Sequence, residues 1–247
     1  MERGARVFGT VRREHPGETL AGVALLHLDV TSEQSVADAV QSVLQQAGRI
    51  QVLVNNAGYA VAGAVEETSV EEARQQFETN FFGVMRLTQA VLPVMRRQGY
   101  GRIVNMISMA GLVPVPYRGI YSASKHALEG YTETLDHEVR QFGIRAALVE
   151  PAFTRTSIET NRKSVHAPLS VYSEQEQRVN KALEQNVAHG DQPRAVAEAV
   201  CAAVEATRPR LRYPVGGGVA LSRLRRFVPA EMFDRQVRKR FQLDKAA

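Results

Sequence analysis

Several features are scarce or absent in this sequence of 247 residues. Cys201 is its one cysteine, which excludes an internal disulfide and favours a reducing, cytoplasmic location. No run of about 18 uncharged apolar residues occurs, so no membrane span is expected. Residues 1–6 lack the apolar stretch of a secretory signal. His126 and His166 do not have metal-ligand spacing, so no metal site is expected.

Acidic residues are scarce towards the end of the chain. The net charge is +5, but residues 208–247 hold eleven Lys or Arg and three Asp or Glu, which leaves residues 1–207 at −3. A basic segment attracts anionic lipid, nucleic acid or a phosphorylated ligand. Apolar residues at near-helical spacing in the same segment favour a solvated amphipathic closing helix. We expect the helix, and no nucleic-acid partner.

Short apolar runs alternate with longer amphipathic ones, and this alternation predicts an α/β fold. The expected architecture is one domain over residues 1–247, a doubly wound (Rossmann-type) three-layer sandwich around a parallel sheet. Residues 154–192 are polar and weakly periodic, so we expect a mobile insertion over a site. The candidate strands are Ala5–Val11, Val23–Val30, Ile50–Asn55, Arg102–Ile107, Ile144–Glu150 and Leu211–Val215. The candidate helices are Ser32–Gln46, Val70–Gln98 (broken near its middle), Tyr117–Gln141 and Pro193–Ala206.

The motif Tyr-Ser-Ala-Ser-Lys at residues 121–125 carries the chemistry. Residues four apart share a helix face, so Lys125 is expected beside Tyr121. A free phenol has a pKa near 10, and a nearby cation favours the phenolate. Ser108 directly follows a predicted strand, at the end where open α/β sheets place ligands. These three groups can pass a proton to a carbonyl oxygen.

Two asparagine features accompany this motif. Asn55-Asn56-Ala57-Gly58 ends a predicted strand, and Gly58 permits a tight turn or a close approach of a cofactor. Asn80 lies in the middle of a predicted helix, where asparagine is a poor helix former. The sequence leaves two explanations open, a buried hydrogen-bonded side chain or a kink.

With these motifs in order, the sequence resembles the short-chain dehydrogenase/reductase family over nearly all of residues 5–220. The matching motifs are Leu28-Asp29-Val30-Thr31, Asn55-Asn56-Ala57-Gly58, Asn80, Ser108, Tyr121-x-x-x-Lys125 and Pro151-x-x-x-x-Thr156. The resemblance implies an NAD(P)-dependent oxidoreductase that interconverts a carbonyl and a secondary alcohol. It also implies a homodimer or homotetramer, assembled through the helices of residues 70–98 and 117–141.

The resemblance also implies roles for individual residues. Tyr121 would be the general acid/base, and Lys125 would lower its pKa and bind the nicotinamide ribose. Ser108 would orient the substrate carbonyl, and Asn80 would hold a water that links Lys125 to solvent. The residues expected to line the cofactor are Asp29, Val30, Asn55, Asn56, Ala57, Gly58, Tyr121, Lys125, Pro151, Thr154 and Thr156.

One motif of the family does not occur in the sequence. Members open with a strand, then Thr-Gly-x-x-x-Gly-x-Gly and a helix, whereas residues 1–11 here correspond to the second strand. The absent helix N-terminus would hold the cofactor pyrophosphate. Three interpretations stay open. The start is misassigned or truncated, the second and fourth family strands close up into a smaller sheet, or the chain is a non-enzymatic remnant.

Cofactor choice in such folds is determined just after the second strand. No acidic residue ends that strand here, and Arg12 and Arg13 follow it. Arginines can pair with a 2′-phosphate, so NADP(H) is favoured over NAD(H). Residues 216–218, Gly-Gly-Gly, form a weak candidate for a relocated phosphate loop, but nearby prolines fit an ordinary loop better.

The substrate is expected to be a small hydrophobic carbonyl or alcohol. Apolar residues that could face the reacting carbon are Met109, Leu112, Val113, Val115, Pro116 and Phe153. The alternative function is a catalytically silent relative that acts as an assembly partner, because the phosphate loop is absent. A third possibility is a binder of anionic surfaces through the basic segment.

Overall fold

The computed structural model describes residues 4–12, 19–20, 23–156, 158–159, 162–217 and 228–244. The strands are β1 (Phe8–Val11), β2 (Thr19–Leu20), β3 (Val23–His27), β4 (Val52–Asn55), β5 (Val61–Ala62), β6 (Gly101–Met106), β7 (Ile144–Pro151), β8 (Lys163–Ser164) and β9 (Arg212–Val215). The helices are α1 (Glu33–Ala47), α2 (Val70–Phe77), α3 (Gly83–Gln98), α4 (Gly119–Val139), α5 (Ser170–Ala188), α6 (Pro193–Glu205) and α7 (Ala230–Arg240). Within these ranges no helix is both long and apolar enough to cross a bilayer.

The larger sheet has the strand order β4-β6-β7-β9, and all of its pairs are parallel. Alternate residues of its central strands point to opposite faces. Ile103 and Ala146 pack in one cluster with residues of α3 and α4. Val104 and Ala147 pack in another with residues of α6. Helices therefore cover both faces, and the predicted doubly wound α/β architecture is confirmed.

A smaller sheet holds the N-terminal strands. β1 pairs with β3 in parallel, and β2 pairs with β3 antiparallel. Among the described strands, β1 pairs only with β3 and β4 pairs only with β6, so the two sheets share no backbone ladder. One interpretation was that the second and fourth family strands, here β1 and β4, close up into a smaller sheet. That interpretation is therefore wrong for this structure. Side-chain packing connects the two sheets instead, because Leu28 and Val36 pack with Leu87 and with Leu53 of β4.

Local signals in the sequence account for the helix ends. Ser32 caps α1 by accepting a hydrogen bond from the Ser35 amide, and Gly48 ends it with φ of +71°. The predicted break in the Val70–Gln98 helix is confirmed. A π-helical turn at Glu78–Phe82 separates α2 from α3. Single π-helical turns inside α-helices occur frequently at functional sites.

The segment 154–192, expected to be a mobile insertion over a site, contains regular structure. The 19-residue helix α5 occupies Ser170–Ala188, and only Val179, Ala182 and Leu183 of it are buried. So narrow an apolar stripe leaves a weak helical period in the sequence. The predicted amphipathic helix near the end of the chain is present as α7, and Val237 on it packs in the cluster that contains Phe241. Leu221, Leu224 and Phe227, which contributed to that prediction, lie outside the described residues.

Candidate active site

Tyr121 and Ser108 meet where the carboxyl end of β6 approaches the first turn of α4. Ser108 follows β6 by two residues and caps a short 3₁₀ turn, its hydroxyl accepting a hydrogen bond from the Ala110 amide at 3.2 Å. Tyr121 lies two residues into α4 and is buried. The Ser108 hydroxyl lies close enough to the Tyr121 phenol to lower its pKa. The phenol and the hydroxyl are therefore neighbours, as the sequence predicted.

Lys125 lies one helical turn beyond Tyr121 and is also buried. Its Nζ atom is 5.8 Å from the centre of the Tyr121 ring and donates a hydrogen bond to the Met106 carbonyl at 2.9 Å. Met106 is the last residue of β6, so the ammonium is held at the end of the strand that precedes Ser108. Phenol, hydroxyl and ammonium thus share one buried corner.

Burial shifts the pKa values of both Tyr121 and Lys125. Loss of water around the phenol raises the pKa of Tyr121 to about 12, and the nearby Ser108 hydroxyl opposes that increase. Burial lowers the pKa of Lys125 to about 8. The structure therefore does not show the expected lowering of the Tyr121 pKa by Lys125. Burial of the phenol is the main cause of its raised pKa.

Asn80 lies in the middle of the π-helical turn and is fully buried. Its side chain makes two hydrogen bonds with the backbone of Tyr59: Oδ1 accepts from the amide at 3.1 Å and Nδ2 donates to the carbonyl at 3.0 Å. Nδ2 also contacts the Ser124 hydroxyl at 3.3 Å, and that hydroxyl donates to the Tyr121 carbonyl at 2.8 Å. Both explanations left open by the sequence apply, since Asn80 is buried and bonded within a distorted helix.

Sequence reasoning missed a buried polar network beneath this site. Asn105 on β6 accepts a hydrogen bond from Asn55 and donates one to the Thr132 hydroxyl, each at 2.8 Å. Gln76, one turn before Asn80, accepts from the Val61 amide at 2.8 Å. A polar residue inside an apolar strand was the available signal for Asn105, whereas Gln76 had only its four-residue spacing from Asn80.

The residues predicted to contact the adenosine half of a cofactor lie around the smaller sheet. Asp29 Oδ1 accepts hydrogen bonds from the amide and hydroxyl of Thr31, which lower the pKa of the carboxyl group. The charge of Arg12 acts in the same direction, so Arg12 lies near Asp29. The Val30 side chain is buried against Gly83 of α3 and serves the core, which leaves only its backbone for a ligand. Arg13 lies outside the described residues.

Asn56, Ala57 and Gly58 follow β4, and all three are exposed. A Cβ atom at Gly58 would lie 3.2 Å from Asn80 Oδ1. The close contact with Asn80 therefore accounts for glycine at position 58 before any contact with a cofactor is considered. Exposure of the three residues leaves their backbone accessible to a ligand.

The segment after β7 borders the same corner. Pro151 is the last residue of β7, and Thr154 forms a backbone bridge with Asp191. The Thr154 hydroxyl is buried and has no hydrogen-bond partner among the described residues. Thr156 is exposed and its amide donates to the Thr154 carbonyl at 2.7 Å. An unsatisfied buried hydroxyl is the kind of group that a bound ligand satisfies.

The candidate phosphate loop at residues 216–218 has a different explanation. Gly216 has φ of +68°, and a Cβ atom there would lie 1.7 Å from an Asp191 carboxylate oxygen. Glycine at this position therefore serves a turn packed tightly on Asp191. Gly218 lies outside the described residues.

The donor groups fit one half of a nicotinamide cofactor. Lys125, Tyr121, Ser108 and the unsatisfied hydroxyl of Thr154 would suit the ribose and carboxamide end. The Thr-Gly-x-x-x-Gly-x-Gly motif that would hold a pyrophosphate is not in the sequence. The fit is thus strong at the reacting end and weak at the phosphates.

Residues 1–166 match the model of the short chain dehydrogenase family. The chain belongs to this family of oxidoreductases. The 3-ketodihydrosphingosine reductase of Bacteroides thetaiotaomicron is 40% identical over 217 residues, which cover 87% of this chain and 80% of the relative. Human retinol dehydrogenase 8 is 35% identical over 230 residues, which cover 84% of this chain and 71% of the relative.

Solved structures of family members superpose on the fold. A short-chain dehydrogenase from Streptomyces avermitilis gives a TM-score of 0.80 at 33% identity, over 98% of this chain and 90% of that one. A Burkholderia phymatum member in complex with NAD gives 0.73 at 28% identity, over 87% and 77% of the two chains. A Burkholderia cenocepacia member in complex with NADP gives 0.73 at 25% identity, over 95% and 87%.

Proposed function

We propose that the protein is an NAD(P)-dependent oxidoreductase that interconverts a ketone and a secondary alcohol. The observation that carries the proposal is the corner where the Tyr121 phenol lies beside the Ser108 hydroxyl and the Lys125 ammonium. These groups can donate a proton to the oxygen of a bound carbonyl. In the reverse direction they can withdraw a proton from the oxygen of a bound alcohol.

In the reducing direction, Ser108 donates a hydrogen bond to the substrate carbonyl oxygen and fixes its orientation. Tyr121 gives its proton to that oxygen as the carbonyl carbon is reduced. A bound nicotinamide cofactor would supply the hydride. A pKa of about 12 keeps the phenol protonated at neutral pH, which is the state required of an acid. Lys125 then stabilises the phenolate left behind.

We propose a hydrophobic substrate. Ala60, Ala110 and Val115 pack around Tyr121, and Val115 also contacts a second cluster that includes Phe153 and Tyr117. These apolar walls support the sequence-based expectation for Val115 and Phe153. Two relatives are named for 3-ketodihydrosphingosine and for retinol, which is consistent with a hydrophobic ketone or alcohol.

We propose NADP(H) as the preferred cofactor. Arg12 is exposed at the end of β1 and lies near Asp29, whose carboxyl pKa its charge helps to lower. An exposed guanidinium there can pair with a 2′-phosphate. NAD(H) remains the competing cofactor, and the two family structures described above contain one each.

We also propose that these 247 residues lack the strand and glycine-rich loop that would complete the phosphate end of the site. Support comes from β1 and β4, which are not paired with each other, and from Val54 on β4, which is 40% exposed. The same observation favours the second candidate function, a catalytically silent assembly partner. Either form would assemble as a homodimer or homotetramer through the helices of residues 70–98 and 117–141.

The test is a turnover assay with NADPH or NADH and a series of hydrophobic ketones. It uses the 247-residue chain and a version preceded by a strand, a Thr-Gly-x-x-x-Gly-x-Gly loop and a helix. Ketone-dependent oxidation of cofactor by either version supports the oxidoreductase. An extended chain that binds cofactor yet reduces no ketone and oxidises no alcohol supports the silent partner.

A further inference from the structure

Arg118 is a buried cation that sequence reasoning did not identify. It directly precedes α4 and its side chain is 2% exposed. Lys and Arg are almost never this buried without partners, since removing a charge from water is costly. Arg118 lies three residues, or about one helical turn, before Tyr121. A charge held at this cost so close to the proton donor requires an explanation.

The guanidinium of Arg118 joins three parts of the molecule. Nη1 donates to the Tyr117 carbonyl at 2.8 Å. Nη2 donates to Glu159 Oε2 and to Asn180 Oδ1, each at 2.9 Å. Glu159 lies in the segment after β7 and Asn180 lies on α5, so both partners belong to the 154–192 segment. One side chain therefore bridges the start of α4 to the substrate side.

The preceding residue reinforces this bridge. Tyr117 has φ of +58°, a left-handed conformation that is rare for a bulky side chain. Its hydroxyl donates to Gln175 Oε1 on α5 at 2.7 Å, and its carbonyl accepts from the Gly63 amide at 3.1 Å. Strained backbone of this kind persists where surrounding contacts impose it. Two successive residues before α4 are thus bonded to α5.

We propose that Arg118 is a positioning residue that clamps the 154–192 segment, through Glu159 and Asn180, onto the first turn of the helix that carries Tyr121. The clamp keeps the apolar wall of the substrate site in register with the phenol and places two opposite charges beside it. It deepens the proposed function and rests on it only for the catalytic readout.

The clamp makes an electrostatic prediction that packing alone does not make. Glu159 raises the pKa of the Tyr121 phenol and Arg118 lowers it. The charged side chains that act on Tyr121 are Glu159 and Arg118, and the Lys125 ammonium lies 5.8 Å from its ring. Removal of Glu159 or of Arg118 breaks the same ion pair but changes the charge beside Tyr121 in opposite senses.

The first experiment measures alcohol oxidation against pH, because oxidation needs the phenolate and its rate rises with pH through the Tyr121 pKa. Glu159→Gln should move this limb to lower pH and Arg118→Met to higher pH, each by on the order of half a unit. Shifts in the same direction, or no shift in either variant, would overturn the electrostatic role.

The second experiment needs no catalysis and uses limited digestion with trypsin. Asn180→Ala and Glu159→Gln should increase the rate of cleavage after Arg162 or Lys163 by on the order of tenfold, because local opening exposes that stretch. Glu184→Gln is the matched control, since the Arg162–Glu184 pair lies 3.5 Å apart on the same segment with Glu184 58% exposed. The control should change cleavage less than about twofold.

Unchanged cleavage in both Asn180→Ala and Glu159→Gln would overturn the clamp. Absence of turnover in both the 247-residue chain and the extended version would contradict the proposed function, and the digestion would then decide on the clamp by itself. Arg118→Met can fail to fold, since it leaves the Glu159 carboxylate without its buried partner. The two milder variants keep the proposal testable in that case.

Discussion

The polar groups at the carboxyl end of β6 are largely buried, whereas those directly after the carboxyl end of β4 are exposed. After β6, Ser108 is half-buried and hydrogen-bonded, and it meets a phenol and an ammonium that are both buried. After β4, residues 56–58 are exposed, and β4 itself has a ladder partner on one side only among the described strands. The groups proposed to transfer a proton thus all lie together, whereas the residues proposed to face the cofactor after β4 are exposed. Chemistry and cofactor retention can therefore be altered separately.

The sharpest test of the proton-transfer side is Tyr121→Phe in the version of the chain that turns over. Loss of the proton donor should lower kcat by about 10²–10⁴-fold while thermal unfolding and cofactor affinity stay close to wild type. Tyr131→Phe is the matched control, because Tyr131 is a partly buried tyrosine of the same helix that packs in the core. Equal losses of activity in Tyr121→Phe and Tyr131→Phe would contradict a specific role of Tyr121 in proton transfer.

Lys125 provides a test through stability. Its pKa is about 8 in the folded protein against 10.5 when unperturbed, so the unfolded chain binds more protons between those values and stability rises with pH there. From pH 7 to 9.5, the free energy of unfolding of wild type should gain on the order of 2 kcal/mol more than that of Lys125→Met. Urea titrations at the two pH values measure this.

If the free energy of unfolding increased equally in wild type and in Lys125→Met, the Lys125 ammonium would not be buried away from water in the folded protein. The window stops short of the region where Tyr121, with its pKa raised to about 12, contributes in the opposite sense. Between pH 10 and 12 the folded protein binds the extra proton, so stability falls with rising pH.

The smallest expected effect concerns the open side. Arg12→Ala should weaken NADPH relative to NADH by about tenfold at low salt, and less at high salt, since the side chain is exposed. Arg6→Ala is the control, because Arg6 precedes the same strand and contacts Gln46 instead. Competition titrations with the two cofactors give the ratio. A ratio unchanged by Arg12→Ala would contradict NADP selection at this position.

The same contrast explains how far the sequence could predict the structure. Ser32, Gly48 and the continuous apolar strands encode local structure, so the α/β architecture and the ends of α1 followed from them. The pairing of Tyr121, Lys125 and Ser108 also followed, because helix spacing and strand ends fix their positions. The roles of these residues stay predictions until turnover is measured.

Other features depend on tertiary contacts that carry no local signal. The raised pKa of Tyr121 reflects burial, which cannot be derived from the four-residue spacing to Lys125. Helix α5 buries three residues, too few to give a clear period. Arg118 stands in the sequence as an ordinary polar residue, and its burial depends on Glu159 and Asn180, which are distant in the chain.

The most direct measurement is a fluorescence titration of NADPH into the 247-residue chain and into the version extended by a strand–loop–helix unit. The account predicts that the extended chain binds at least about tenfold more tightly, because a helix N-terminus for the pyrophosphate has been added. It also predicts that Tyr121→Phe binds as wild type does in either version. Equal affinities with and without the added unit, or no binding in either, would contradict a proton-transfer site that lacks only its phosphate side.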